Sequence, residues 1–337
     1  MITVEVIINN QIIRILSQNS FYSDLISFSQ AKEHFRKCSN RTLFHNPDFI
    51  NEIIGEVNWI GGFKKNSLLC TMPIFKSELP DFFYYSGPLW DSNWLKLKPY
   101  RRFSTSQKIY EKMINNILNI QEKIMIQFPD TKSDIRAFDW WNYGKREEIR
   151  FKTEIKYTAK IFNLQKQSIN DLKSNLRSDD KKKRLKRIIK ESSNIEITYQ
   201  ISKTEFIDLY LQTMNRVEAT ITNKSLAILS KLFDYVNQDE RGFKLTFRDS
   251  RNNKLIGSQL VIYQDKNANA IAQGINKESY TSEIVTYLIF NSILKSKEEG
   301  KEVFDFNGAN SPKRADDKHA YGAEEVPFIC LTYGDFN

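Results

Sequence analysis

The two halves of the sequence predict the same order of secondary-structure elements. Apolar residues, either at helical spacing or alternating with polar ones, predict a helix pair, a hairpin, a strand, a helix and a strand in each half. The hairpin is 59–63 with 68–75 in the first half, and 243–248 with 255–263 in the second. This repetition favours two similar α/β units over a single Rossmann sheet.

Three further segments carry clear element predictions. Residues 107–128 have the apolar spacing of one long amphipathic helix, and residues 137–141, Ala-Phe-Asp-Trp-Trp, predict a strand. Residues 168–191 predict one strongly charged helix with Ser168 as its N-cap.

The length of 337 residues suits two ordinary domains. The element pattern restarts near Thr153, so we expect one domain at 1–152 and another at 153–337. The last strands of the second domain could pack across onto the first. Hydrophobic residues make up 40% of the chain, which is enough to fill two cores.

Charge and cysteine content limit the partners and the compartment. Lys and Arg number 50 against 41 Asp and Glu, and the net charge of +9 favours an anionic partner such as a phosphate-rich cofactor, a nucleotide or RNA; DNA is not expected. Cys38, Cys70 and Cys330 are widely spaced and form no CxxC pair, which indicates a reducing cytoplasm. We expect no signal peptide, because Glu5 interrupts the N-terminal apolar run, and no membrane span.

The familiar catalytic motifs are absent from the sequence. His34, His45 and His319 are the only histidines, and they lack H-E-x-x-H or H-x-H spacing, so no metal site is predicted. The sequence also lacks a G-x-S-x-G nucleophile elbow, a G-x-x-x-x-G-K-[ST] loop and a G-x-G-x-x-G fingerprint. Any chemistry must therefore use a less familiar set of residues.

Segment 304–325 concentrates the residues that could carry chemistry. Phe304 and Phe306 share one face of a predicted strand, and Asp305 points to the other face. Asn307-Gly308 then ends the strand as a polar turn. The ionisable residues that follow are Lys313, Arg314, Asp316, Asp317, Lys318 and His319. A polar loop after a strand is a common place for a site, and it is also an ordinary way to end a strand.

A basic run and two aromatic segments are candidates for substrate binding. Residues 181–190, KKKRLKRIIK, place Arg184 and Arg187 on a basic helix face that could meet phosphates, or that could simply be solvated. Aromatic residues do not interleave this run, which argues against binding of single-stranded nucleic acid. Tyr85 and Trp141 belong to aromatic segments that could stack on a base or a sugar, or could fill a core.

Four segments match the motifs of a known family in their chain order. They are Leu43-Phe-His-Asn-Pro-Asp-Phe-Ile50, Tyr85-Ser-Gly-Pro88, the basic stretch 175–190, and the block 300–322. Together they resemble the GNAT superfamily, specifically the tandem-GNAT proteins of the Fem-type acyltransferases and their CelD/BcsL-like relatives. The last block is similar to F-D-F-x-G-x-N followed by F-K-x-x-F-G. Lys318, Tyr321 and Gly322 match the second motif, and Asp317 stands where the family has an aromatic residue.

This resemblance implies an α/β fold of two GNAT-like domains, each a mixed, mostly antiparallel sheet flanked by helices, with acyl-CoA as co-substrate. It implies that Lys318 polarises the acyl carbonyl or binds a substrate phosphate. Asp305 is the first choice for the base that accepts the amine proton, and His319 is the second. Further candidates for substrate or phosphate contacts are Asn307, Asn310 and Tyr321. Candidates for coenzyme A contacts are Gln273, Gly274 and Ser282.

The resemblance leads to one favoured function and two alternatives. We expect transfer of an acyl group from acyl-CoA to the amine of a dTDP- or UDP-linked amino deoxysugar, in surface polysaccharide biosynthesis. The first alternative is a Fem-type aminoacyltransferase that uses aminoacyl-tRNA and extends a peptidoglycan precursor. Those enzymes often carry a long helical-hairpin arm, for which segment 168–191 leaves no room. The second alternative is an inactive tandem-GNAT binding module.

Overall fold

The computed structural model describes residues 4–8, 11–15, 21–76, 78–129, 133–238 and 240–335. The chain divides into two compact units, Met1–Ile155 together with Phe328–Asn337, and Lys156–Pro327. Of the helices within the described ranges, none is long and apolar enough to cross a membrane.

The first unit contains an antiparallel sheet, a separate strand pair and several helices. Its strands are β1 (Val4–Ile8), β2 (Gln11–Ile15), β3 (Phe21–Ile26), β4 (Asn58–Lys64), β5 (Ser67–Ile74), β6 (Leu89–Trp90) and β7 (Ile124–Gln127). Its helices are α1 (Phe28–Lys37), α2 (Pro47–Ile53), α3 (Ser92–Leu95), α4 (Pro99–Leu118) and α5 (Arg136–Asp139). β1 pairs with β2, and β3 to β6 form a sheet in chain order.

The core of the first unit forms around α4. Proline at position 99 suits the first helical turn, and apolar residues three and four apart then give the helix one buried face. The buried apolar residues on that face include Ile109, Met113 and Ile117, which belong to one cluster with residues of β4, β5 and β7.

The second unit contains a six-stranded mixed sheet. Its strands are β8 (Lys152–Ile161, of which residues 156–161 belong to this unit), β9 (Ile195–Thr198), β10 (Gly242–Asp249), β11 (Leu255–Gln264), β12 (Asn267–Ile275) and β13 (Val303–Asp305). Its helices are α6 (Ile169–Ser174), α7 (Lys183–Glu191), α8 (Lys203–Arg216), α9 (Asn223–Tyr235), α10 (Ser282–Glu298) and α11 (Pro312–His319). The order is β8-β13-β12-β11-β10-β9, and only β12 and β13 pair in parallel among these strands.

The last strand, β14 (Glu324–Tyr333), ends in the first unit. Its residues from Cys330 to Tyr333 pair antiparallel with β7, and the Phe128 N–H donates to the Ile329 carbonyl at 2.8 Å. The C-terminus of the chain thus supplies a strand to the unit that the N-terminus begins.

The structure corrects two element predictions made from apolar spacing. The helix predicted at 107–128 starts earlier and ends at Leu118, and its last predicted residues form β7. The strand predicted at 137–141 is wrong, because this segment contains the short helix α5. The carboxylate of Asp134 accepts the Arg136 N–H at 3.1 Å and so favours a helical turn where the alternating residues suggested a strand.

The helix predicted at 168–191 is also interrupted. Ser168 is the N-cap, as predicted, but α6 ends at Ser174 and a π-helical turn, Ser178–Lys182, precedes α7. The backbone N–H of Arg177 donates to the Ala320 carbonyl at 3.0 Å. This bond draws the chain out of the helical path between the two helices.

Candidate functional site

The two parallel strands of the second unit separate after a short paired stretch. Their register ends at Asn269 of β12 and Asp305 of β13. Beyond this point the chain follows β8 instead, because the Phe306 N–H donates to the Ala159 carbonyl at 2.9 Å. β12 stays paired with β11 as far as Ile275. The strands therefore diverge at the turn that sequence analysis selected as the candidate site.

Asp305 stabilises this turn through the contacts of its carboxylate. The residue is only 3% exposed. Its Oδ1 accepts the Thr158 hydroxyl at 2.6 Å and the Asn307 N–H at 2.9 Å, and its Oδ2 lies 3.0 Å from the Lys160 ammonium. Because both carboxylate oxygens have partners, Asp305 is well placed to fix the backbone of the turn.

Lys318 holds the same turn from α11. Its ammonium donates to the carbonyls of Phe306 at 3.2 Å and Asn307 at 2.6 Å, and to that of Gly308. Burial lowers the pKa of Lys318 to about 8, and the nearby carboxylate of Asp305 opposes that shift. An ammonium has three N–H donors, so this arrangement uses all of them on the turn.

Asn307 occupies the point where the strands diverge. It has φ of +50°, a left-handed conformation that asparagine tolerates, and it is only 4% exposed. Its Nδ2 donates to the Ala270 carbonyl of β12 at 3.2 Å. Its Oδ1 is buried and has no hydrogen-bond partner among the residues that the structure describes. An unpaired buried acceptor is costly, so it is a good candidate for a ligand contact.

His319 is the last residue of α11 and is half-buried. Its Nδ1 lies 2.9 Å from the Ala323 carbonyl, and since a carbonyl only accepts, Nδ1 carries the hydrogen. The other nitrogen, Nε2, lies 3.6 Å from a carboxylate oxygen of Glu325. In this tautomer Nε2 carries a lone pair, which is what a general base requires.

The position where Asp317 replaces the family's aromatic residue forms an ion pair. Asp317 lies 2.5 Å from the ammonium of Lys181, a residue of the π-helical turn that is only 1% exposed. The same ammonium lies 4.6 Å from the ring centroid of Tyr321, which is buried. Burial raises the pKa of Tyr321. Asp317 thus anchors α11 to the basic segment through a charge pair.

The two arginines predicted to contact phosphates are both paired with carboxylates. The Nε of Arg184 lies 2.8 Å from Asp180, and Arg187 lies 2.6 Å from Glu283. Glu283 is in the first turn of α10, next to Ser282, and Thr281 caps that helix by accepting the Ile284 N–H. Arg187 therefore lies beside the N-terminus of a 17-residue helix.

The remaining candidates of the second unit have local structural contacts. A Cβ added at Gly274 would come within 2.6 Å of the Leu209 Cβ, so this glycine allows α8 to pack closely on β12. The Nε2 of Gln273 is buried with no partner among the described residues. The Oδ1 of Asn310 accepts the Tyr157 N–H at 2.7 Å.

The structure places two candidates in the first unit. The ring of Tyr85 is buried and packs edge-on against Phe328, with centroids 5.3 Å apart. Trp141 is partly buried in the wall of a groove.

Sequence reasoning missed several residues that shape the site. Thr158 and Lys160 both contact Asp305, and Lys181 contacts Asp317. Lys160 stands directly opposite Asp305 in the strand register, a relation that sequence patterns do not reveal. No group of three or more His, Cys, Asp or Glu that could hold a metal ion occurs in the described part of the chain.

Comparison with solved structures identifies the fold. FemX superposes with a TM-score of 0.62 at 8% identity, over 91% of this chain and 96% of FemX. A tandem GNAT protein from the clavulanic acid biosynthesis pathway gives 0.53 at 10% identity, over 94% of this chain and 100% of its own. The chain has a tandem GNAT fold. L-PGS from Bacillus licheniformis gives 0.53 at 10% identity, over 92% of each chain. No protein-family model and no curated protein matches the sequence.

Proposed function

We propose that this protein is an N-acyltransferase that moves an acyl group from a coenzyme A thioester to an amine. The observation that carries this proposal is the divergence of β12 and β13 at Asn269 and Asp305, with the unpaired Oδ1 of Asn307 buried at that point. An extended ligand that contains amide N–H groups, as the pantetheine chain of coenzyme A does, would supply the missing donor. The tandem GNAT fold is consistent with this assignment.

The coenzyme A phosphates would lie at the start of α10. A helix N-terminus offers free N–H groups and a positive dipole end to an anion. Arg187 lies next to this end because it pairs with Glu283 at 2.6 Å. In the proposed complex a phosphate competes with Glu283 for Arg187, and Ser282 and Gln273 complete the cofactor contacts.

His319 is the base that we propose for the amine proton. The attacking amine forms a bond to the acyl carbon, the thiolate of coenzyme A leaves, and the amine proton passes to Nε2 of His319. Asp305 was the first choice from sequence, but it is 3% exposed and its oxygens are occupied by Thr158, Asn307 and Lys160. We therefore assign Asp305 and Lys318 to positioning the turn, and His319 to proton transfer.

The acceptor that we favour is a dTDP- or UDP-linked amino deoxysugar of surface polysaccharide biosynthesis. Support for it comes from the sequence resemblance and from the net charge of +9, which suits two phosphate-rich substrates. The Fem-type alternative, with aminoacyl-tRNA as donor, is less favoured. Residues 162–194, all of which are described, contain only α6, the π-helical turn, α7 and short 3₁₀ turns, and so no helical-hairpin arm.

An assay of free thiol release from acyl-CoA donors, with dTDP- and UDP-amino sugars as acceptors, tests this function. We expect turnover with at least one pair of substrates. Transfer of an amino acid from charged tRNA, without thiol release from any acyl-CoA, would establish the alternative. No turnover with either donor would leave a binding module.

The role of His319 has its own test within this assay. We expect His319→Gln to lower kcat about 100-fold and to flatten the pH profile, because Gln retains a donor for Ala323 but cannot accept the proton. Lys313→Gln, on the exposed start of the same helix, is the control and should behave as wild type. An unchanged pH profile in His319→Gln would remove His319 from proton transfer.

A further inference from the structure

A groove in the first unit has features that the proposed acyl transfer does not explain. Its volume is about 660 Å³, which lies within the range of small-ligand sites. One wall is α4, where Gln107, Glu111 and Asn115 recur every four residues and so share one helix face. The other wall includes Trp140 and Tyr143. Amide and carboxylate groups therefore face an aromatic wall.

The aromatic wall is exposed and its two rings are paired. Trp140 is 62% exposed and Tyr143 is 58% exposed, although their ring centroids lie only 4.2 Å apart. Exposed large aromatic surface costs free energy in water, and here two rings are paired at the same place. Such a pair offers a broad, rigid contact area to a ligand with few rotatable bonds to order.

The segment that presents these rings is fixed by hydrogen bonds. The Arg150 guanidinium donates to the Asp139 carbonyl at 2.6 Å, and the Thr153 hydroxyl donates to the Asp139 carboxylate at 2.7 Å. The side-chain amide of Asn142, which has φ of +59°, donates to the Ile149 carbonyl at 2.9 Å. The rings are therefore held in place before any ligand arrives, which lowers the entropic cost of binding.

The charges of the groove disfavour a phosphate ligand. Arg136 lies 2.5 Å from Asp134 and Lys145 lies 3.2 Å from Glu148, so both cations of the lining are already paired. The carboxylate of Glu111 has no ion-pair partner among the described residues. Among the lining residues the uncommitted charge is therefore that of Glu111, while the Arg150 guanidinium outside the lining lies 5.1 Å from the Tyr143 centroid and donates to the Asp139 carbonyl. The Glu111 charge would attract an amine or leave a neutral ligand unaffected.

We propose that this groove binds a pyranose sugar, either neutral or amine-bearing. The C–H face of the ring stacks on Trp140, and its hydroxyl or amino groups donate to the carboxylate of Glu111 and to the side-chain amide oxygens of Asn115 and Gln107. The NH2 groups of these two amides already donate to the Glu111 carbonyl and to Asp134. The inference goes beyond the proposed acyl transfer and does not depend on it, because it concerns binding to the first unit alone.

Saturation-transfer NMR on the whole chain tests this proposal. The probes are the methyl glycosides of glucose, galactose and mannose, together with glucosamine, N-acetylglucosamine and uridine. We expect at least one sugar to bind through its C–H face, and Trp140→Ala to weaken its binding about tenfold. Tyr100→Ala is the matched control, since Tyr100 is 61% exposed on α4 and lies outside the groove lining; it should leave binding unchanged.

Further variants separate the contributions of the two walls. Trp140→Phe keeps a ring at this position and should retain part of the affinity. Glu111→Gln should weaken glucosamine more than glucose, because only the amine interacts with the charge. Absence of binding by every sugar, binding that survives Trp140→Ala, or binding of uridine alone would each overturn the proposal.

Discussion

The two units each hold a turn through buried ionisable side chains, but these side chains differ in charge. In the first unit, His45 is 1% exposed, donates from Nε2 to the Gly87 carbonyl at 2.8 Å, and lies 2.6 Å from the Thr42 hydroxyl at Nδ1. Nearby, the Nε2 of His34 donates to the Leu89 carbonyl at 3.1 Å. In the second unit, Lys318 and Asp305 hold the turn that follows β13.

The difference in charge points to different roles. The neutral histidines of the first unit have a structural role, and the charged Lys318 and Asp305 of the second unit are candidates for a role at a functional site. Burial lowers the pKa of His45 to about 4 and also lowers that of His34, so both imidazoles are neutral near pH 7. A neutral imidazole with both nitrogens hydrogen-bonded can be buried at modest cost. Burying charges beside a turn costs more, and such an arrangement is more typical of functional sites than of plain packing.

The largest effect is expected from removing the charged anchor. Lys318→Met should lower kcat/KM about 100-fold or more. It should also lower the free energy of local opening of the turn by about 2–3 kcal/mol, because the carbonyls of residues 306–308 lose their donor. Rates of thiol release, and hydrogen exchange of the turn amides, measure the two effects. Lys313→Met, which is exposed on the same helix, should change neither. Activity within twofold of wild type would show that Lys318 stabilises the turn without supporting catalysis.

The order of the elements was predictable because their apolar spacing is local. The hairpin of β4 and β5 and the hairpin of β10 and β11 lie close to their predicted positions. Strand β7 was missed because it contains four residues, too few to show a period, and because it is defined by pairing with Cys330–Tyr333 far along the chain. Helix α5 was mistaken for a strand because it too contains only four residues.

The turn after β13 was predictable from the sequence, but its contacts were not; that it forms a site stays a prediction. The turn Asn307-Gly308 and the residue Lys318 follow from turn chemistry and from the resemblance. Two partners of Asp305, Thr158 and Lys160, lie on β8, some 147 residues away for Thr158, and only the strand register brings them together. Likewise, no local pattern indicates that Lys181 is buried against Asp317.

An acid titration tests the structural role of the buried His45 in the first unit. The pKa of His45 is lowered from its ordinary 6.5 to about 4, so between these values the unfolded chain binds more protons than the folded one. Stability of the first unit should therefore fall as pH drops from 6.5 to 4, by at most about 3 kcal/mol, and then level off. Hydrogen exchange of segments 42–46 and 85–90 measures this. His45→Gln should remove most of the dependence; an equally steep fall in that variant would contradict the assignment.

An alkaline titration tests the second unit, with the same sign of pH dependence in a higher pH window. The pKa of Lys318 is lowered from 10.5 to about 8, so the unfolded chain binds more protons between these values. Stability of the turn should rise with pH across this window, by about 2 kcal/mol, since partial exposure reduces the full effect. Hydrogen exchange of 306–308, corrected for its intrinsic pH dependence, reports it. Lys318→Met should show no such rise, whereas His45→Gln should retain it.

The smallest effect on the free energy of unfolding is expected at the exposed ion pairs, which involve neither the buried histidines nor Lys318 and Asp305. Arg187→Ala removes an ion pair with Glu283. Because the arginine side chain is 61% exposed, the free energy of unfolding should change by less than about 0.5 kcal/mol. If Arg187 contacts a coenzyme A phosphate as proposed, KM for acyl-CoA should nevertheless rise about tenfold while kcat stays near wild type. Lys183→Ala is the matched control on the same helix, because Lys183 is 69% exposed and pairs only loosely with Asp179 at 3.8 Å. Equal Michaelis constants for the two variants would make the basic face of α7 a solvated surface and would remove Arg187 from the proposed coenzyme A contacts.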